Sequence, residues 1–394
     1  RDEFETVTAL GQMEFITPEE VADYAVMEIE GRPTGRDIVA ALDAATAGPT
    51  YRAGILRSHA IERLRALEEH SKTRAVAYEM LGLKYIIMLV DFEDDFEQYA
   101  KPILWAMSEL CYVRYYNRTL PGGKYIVHAI VPEERVAGFT VFFEKLREKG
   151  IFRSVELHAA NWHRNIPMRA DFFDFERGVW DFDWGKLAMK YAENEEMRPA
   201  GKVEFDRLDL EILKQLQLDA NTTFTKIAVK AGSTMKNTQY HYWKHVVGRG
   251  LIRSYRVNWL GTRYDYDLET GTHRMHRQLL LNLLATGLTE SEKLEARAGL
   301  NQFPSLWAEA VGEGFYYAEV AFPNEAAAEG YGVLARTLHR IRRKYALYVA
   351  DHTDGMGFAL NPKLYDPAMN AWQFKGEELL PKFEDLVLKI RQTG

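Results

Sequence analysis

Cysteine is nearly absent: Cys111 is the single thiol in 394 residues. No disulfide can form within the chain, and no metal centre can be built from several thiolates. Cys111 sits in the apolar run Leu110 to Val113 and is expected to be a buried small hydrophobe, not a nucleophile. No apolar run approaches the roughly 18 residues that a bilayer span needs, so no membrane partner is expected. The opening RDEFETVTALGQ has no signal-peptide pattern, and a cytoplasmic, nucleoid-associated location is the expectation. Phosphate-binding glycine loops and nucleotide motifs are missing, as are metal-ligand spacings. Neither a cofactor nor a metal is therefore expected. An excess of positive charge is missing too, since the net charge is -7. That excludes a uniformly basic nucleic-acid coat but leaves room for a local basic face.

Apolar residues are plentiful, at 47%, and the length allows two to four domains. The chain divides into blocks that come in two pairs. Residues 17–80 read as helical and 84–170 as mixed strand and helix. A polar and aromatic linker, 171–204, follows. A second helical block covers 205–262, a second mixed block 275–360, and an amphipathic helix 375–394.

In the second helical block, Leu208, Ile212, Leu213 and Leu216 recur at helical spacing. Asn221 and the neighbouring threonines can cap the next helix, TFTKIAVKAG, and Gly232 can end it. Ser233 is expected to cap a third helix, TMKNTQYHYWKHVVGRG. The alternating strand LIRSYRVNW is suited to a wing. This is the order of a winged helix-turn-helix. Residues 17–80 repeat that order in a more degenerate form. Each mixed block reads strand, helix, strand, strand, helix, strand, which is the ferredoxin-like arrangement. The expected fold is therefore α+β. Two winged helix-turn-helix domains alternate with two ferredoxin-like βαββαβ domains by internal duplication.

With FDRLDLEILKQLQLDANTTFTKIAVKAG and the hairpins PGGKYIVHAIVP and GEGFYYAEVAFP on view, the chain resembles the Lrp/AsnC, or feast/famine, regulators. The resemblance implies a DNA-binding block followed by a ligand-sensing domain. Members are usually single units that dimerise, whereas here two units are joined covalently. The acidic residue often found after the hairpin tyrosine is replaced by Ile126 and Tyr317.

The candidate DNA-binding residues lie on the second recognition helix and its exit strand: Lys236, Asn237, Gln239, Tyr240, His241, Lys244, His245, Arg249, Arg253 and Arg256. Asn and Gln can read adenine edges, and cations can neutralise phosphates. Arg52, Arg57, His59 and Arg63 are their counterparts in the first block. His158, His163, His352 and Asp354 lie at the ends of equivalent strands and are candidates for binding a small-molecule effector. Asp171, Asp174, Asp181 and Asp183 do not have the spacing of an EF-hand. Their segment reads as a linker packing Phe172, Phe175, Trp180 and Trp184 on a neighbour.

The expected function is transcription regulation on double-stranded DNA, not enzymatic, with a small-molecule effector and homo-oligomerisation through the ferredoxin-like domains as further partners. Two alternatives stand beside it. One is an enzyme resembling the sirohaem decarboxylases, which are similar to the Lrp/AsnC fold. The other is an architectural, chromatin-like DNA protein.

Overall fold

The computed structural model describes residues 73–166, 173–174, 179–180, 182, 184, 201–218, 222–256, 265–267, 272–274, 278–323 and 326–393. The first recognition helix, with Arg52, Arg57, His59 and Arg63, lies outside the described residues.

The fold is mixed α/β and its main sheet is antiparallel throughout. The first half supplies β1 (Thr73–Val76), β2 (Leu83–Phe92), α1 (Ala100–Leu110), β3 (Val113–Leu120), β4 (Tyr125–Pro132), α2 (Val136–Glu148) and β5 (Phe152–Asn165). A three-helix block follows: α3 (Arg207–Leu218), α4 (Phe224–Ala231) and α5 (Met235–His241), the last running into a π-turn over Tyr242–Val247. After β6 (Ile252–Arg256), the second half repeats the pattern. It supplies β7 (Gln278–Thr286), α6 (Glu290–Leu300), β8 (Leu306–Gly312), β9 (Phe315–Pro323), α7 (Ala327–Thr337) and β10 (Tyr345–Gly357). A closing helix, α8 (Gly376–Thr393), packs on α1 and α2. No helix among the described residues is long and apolar enough to cross a membrane.

The strands close a barrel in the order β7-β9-β8-β5-β2-β4-β3-β10. Each half contributes four neighbouring strands. The halves join at two seams, β8 on β5 and β10 on β3, both antiparallel. The two four-stranded halves face each other across the interior, with Ile87, Leu89 and Ile126 packed against Leu284, Ala310 and Tyr317. They also join at their edges, because each half leaves two edge strands with unpaired backbone groups that must find partners.

Alternation along the strands sorts side chains into two layers. On β2, Ile86, Met88 and Val90 face the helices, while Ile87 and Leu89 face the barrel interior. On β9, Tyr316, Ala318 and Val320 pack outward against α6 and α7, and Tyr317 points inward. Eight strands leave an interior just wide enough to be filled by side chains.

The three-helix block is fixed by local signals. Leu210, Ile212, Leu213 and Leu216 are buried on α3. Thr223 caps α4 by accepting from Lys226 N, and Gly232, at φ 63°, ends it in the left-handed conformation that glycine adopts without strain. The cap of α5 is Thr234, not Ser233; Ser233 Oγ instead accepts from Asn237 Nδ2 at 3.1 Å. The alternation of the exit strand suits a wing. Among the described residues β6 pairs with β1 of the first half, Thr73 opposite Arg256. Its hydrogen bonds therefore tie the two halves together.

Helix α6 opens with a capping box. Thr289 Oγ1 accepts from Glu292 N, and Glu292 Oε2 accepts from Thr289 N at 2.8 Å. Lys344 Nζ also donates to Glu292 Oε1 at 2.7 Å. The Lys344 hydrogen bond, then the Thr289 backbone bond, lower the Glu292 carboxyl from 4.5 to about 2. A depressed carboxyl contributes stability above its unfolded-state value and loses it as pH falls toward the folded one. Urea unfolding at pH 5 and pH 3 should therefore show a larger acid-induced loss for the native chain than for Glu292→Gln. Equal losses would show the interaction to be inert.

Candidate active site in the barrel interior

Three apolar strands carry a lone polar residue: His128 in YIVHAIV, Asn282 in LLLNLL and Glu319 in FYYAEVAF. All three are buried and face the barrel interior. Strands β4 and β9 stand four places apart in the eight-stranded ring, on opposite walls. His128 nevertheless reaches Tyr317 across the axis.

The contacts form a directed chain. Tyr85 Oη lies 2.6 Å from His128 Nδ1, and His128 Nε2 lies 3.0 Å from Tyr317 Oη. Tyr317 donates its single proton toward Asn282 Oδ1 at 2.8 Å and Glu319 Oε1 at 3.1 Å. Its oxygen must then accept from Nε2–H, so Nδ1 is the nitrogen that accepts from Tyr85; this tautomer follows from the network. Glu319 Oε1 is 3.6 Å from Nε2. Burial first, and then the Glu319 charge, push the Tyr317 hydroxyl well above the ordinary phenol range. Tyr317 therefore stays protonated and serves as a fixed donor. Tyr115 tilts against His128, with ring centroids 4.9 Å apart, and His163 stacks on Tyr85 at 3.7 Å. Tyr85, Tyr115 and His163 are half-buried and form the outer side of the cluster. The buried Asn282 Nδ2 has no hydrogen-bond partner among the described residues. A buried donor left unpaired is costly, and it suits a group that arrives with a ligand.

Outside the barrel, Glu309 on β8 is fully buried. It accepts from Arg164 Nε at 2.6 Å, Arg297 Nε at 3.2 Å and Tyr316 Oη at 2.9 Å. Arg297 also lies over the Trp162 ring at 4.5 Å. This network pins the β8–β5 seam to α6.

The residues singled out from sequence are dispersed. His163 joins the barrel cluster through Tyr85. His158 Nε2 is 2.7 Å from Glu156 Oε1, and its ring lies against Phe315. Asp354 is buried elsewhere, 3.3 Å from Lys101 Nζ and 3.4 Å from Tyr125 Oη. The side chain of His352 lies outside the described residues. Among the described side chains, His158, His163 and Asp354 stand in three separate sets of contacts. On α5, Lys236, Asn237 and Tyr240 are exposed and Gln239 is half-buried, and Lys244 is exposed on the π-turn that follows. His241 and His245 turn inward onto Asp209 instead of outward to a ligand groove. Arg249 Nη1 donates to the Glu204 carbonyl. Arg253 and Arg256 lie on β6, with side chains outside the described residues. In the linker, Trp184 stacks on Phe182, packs beside Phe303 and Phe322, and donates to Glu329 at 3.0 Å. Phe172, Phe175, Asp171, Asp181 and Asp183 are outside the described residues. Cys111 is fully buried, and burial drives its thiol far above the ordinary range, which removes it as a nucleophile.

Residues 1–92 match the family model of the Beta-methylindole-3-pyruvate reductase C-terminal domain. No curated protein matches the chain. Among solved structures, the siroheme decarboxylase NirDL is 12% identical over 98% of this chain and 99% of that one, with a TM-score of 0.46. NirDL in co-complex with an iron-uroporphyrin III analogue is 10% identical over 93% and 99%, with a TM-score of 0.49. PH0061 is 14% identical over 40% of this chain and 99% of that one, with a TM-score of 0.30. At these values residues cannot be matched pairwise, so the chemistry has to come from this chain's own side chains. The expectation of a non-enzymatic protein is corrected all the same: the family model that residues 1–92 match is that of a reductase domain.

Proposed function

We propose that this chain is an acid–base enzyme acting on a carboxylate-bearing aromatic substrate. In this reading two ferredoxin-like halves of Lrp/AsnC type close a barrel around the catalytic group, His128. The observation that carries the reading is the chain Tyr85–His128–Tyr317–Glu319, with the unpaired Asn282 amide beside it. A proton taken up at Tyr85 passes its neighbour to His128 Nδ1, leaving the imidazolium facing Glu319. In reverse, starting from the imidazolium, Tyr85 gives its proton to the substrate and is refilled from Nδ1, which leaves His128 neutral with its proton on Nε2. Decarboxylation needs that reverse step: the bond to the carboxylate breaks, CO2 leaves, and the electron pair on carbon takes the proton. General acid–base groups of this kind contribute about 10²–10⁴-fold in rate.

Siroheme decarboxylation is the reaction to test first. The full chain is incubated anaerobically with siroheme, and product mass and CO2 release are followed. A second arm supplies an arylpyruvate with reduced nicotinamide. Turnover in either arm supports an enzyme; absence of turnover in both overturns the reading.

A second reading, DNA contact by α5, is favoured by its exposed face of Lys236, Asn237, Tyr240 and Lys244. Anisotropy titrations with duplex DNA at several salt concentrations test it. Replacing both Lys236 and Lys244 by alanine should reduce the slope of log affinity against log salt by about 2. An unchanged slope removes α5 from the interface.

A further inference from the structure

We propose a second site, independent of the barrel chemistry: a divalent transition-metal site formed by Asp206, Asp209, His241 and His245, with zinc as the fitting ion. The four side chains come from the start of α3 and the end of α5, so their spacing along the chain gave no sign of a ligand set. In the fold each offers one donor atom, and the four donors lie within 4.8 Å of one another.

The pairwise geometry is close to what a tetrahedral ion requires. Metal–ligand distances of 2.0–2.1 Å put neighbouring donors about 3.3–3.4 Å apart. Here His241 Nδ1 lies 2.9 Å from Asp209 Oδ1 and 3.6 Å from Asp206 Oδ2, and His245 Nδ1 lies 3.2 Å from the same Asp209 Oδ1. Two imidazoles and two carboxylates are a borderline donor set that suits zinc, nickel or copper better than magnesium or calcium. Four protein ligands close the tetrahedron, as in structural sites.

The surroundings are organised as outer-sphere support. Asp209 is fully buried on α3 and also accepts from Asp206 N at 3.0 Å. Asp206 Oδ1 is occupied as the cap of α3, accepting from Leu208 N at 2.8 Å and Asp209 N at 3.1 Å. Its Oδ2 is the atom turned toward His241. The two histidines are four apart, and the second lies in the π-turn Tyr242–Val247. Such turns are rare and concentrate at functional positions. The rings sit 4.4 Å apart, both with Nδ1 aimed at the same carboxylate. A metal here would lock the third helix of the block to the first.

The test uses the full chain, stripped with chelator and titrated with Co(II) as a spectroscopic stand-in for zinc. The expected result is a saturable visible absorption of tetrahedral type at one ion per chain, displaced by zinc, together with a zinc-dependent rise in Tm. Asp206→Asn keeps the cap, since Asn caps as well as Asp, and removes one anionic ligand. It should weaken cobalt binding at least as much as the roughly 10- to 100-fold loss that follows removal of an outer-sphere partner. His241→Ala should abolish the tetrahedral band. A chain that gives no saturable band, or a band unchanged in both variants, overturns the site and leaves a histidine–aspartate hydrogen-bond cluster.

Discussion

Changing His128 to glutamine is expected to slow substrate turnover by about 10²-fold or more while leaving the fold in place. Glutamine can accept from Tyr85 through its carbonyl and donate to Tyr317 through its amide, so both hydrogen bonds of the imidazole have a substitute. What it cannot do is carry a proton from one side to the other. The variant therefore separates packing from proton transfer. Steady-state rates beside a thermal melt read the two effects independently. A variant with native turnover would make the cluster a polar plug of the barrel and nothing more. Tyr85→Phe removes the outer end of the same path and should fall in the same direction.

Glu309→Ala should have the largest effect on stability, about 3–5 kcal/mol. The deleted carboxylate is fully buried and is shared by Arg164 and Arg297, of which Arg297 is itself almost completely buried. Without it, both guanidinium groups lose the buried carboxylate that they share. Burial first, and then the Glu309 charge, also hold the Tyr316 hydroxyl well above the ordinary phenol range, so its proton is available to the carboxylate. A urea midpoint that barely moves would show that the network contributes nothing net, as some buried ion pairs do. A loss confined to the second half would show as a biphasic transition, since the pair sits at a seam.

The strands and helices from Leu83 to Asn165 and from Gln278 to Gly357 were legible because alternation and helical spacing were strong there. The barrel was not. Which edge of one half meets which edge of the other depends on pairing between segments far apart in sequence, and β5–β8 and β3–β10 carry no local mark of it. The pairing of β6 with β1 is another long-range contact of this kind. The site was partly visible. His128, Asn282 and Glu319 are each a solitary polar residue in an apolar strand, a sequence signal that marks them as inward-facing. His241 and His245 share a polar segment with Lys236 and Lys244, which by itself points to an outward face. Asp209, buried on another helix, is what turns them in.

The closing of one barrel from two repeated halves has a consequence for symmetry. Register places His128 opposite Ile87 on β2 and Glu319 opposite Asn282 on β7. The two hairpins are counterparts, so His128 and Glu319 occupy the same position of the repeat. In a dimer of identical subunits that position would confront itself across the axis, acid with acid or base with base. Joining the halves in one chain frees the two copies to drift apart, and an acid and a base can share a single two-fold axis.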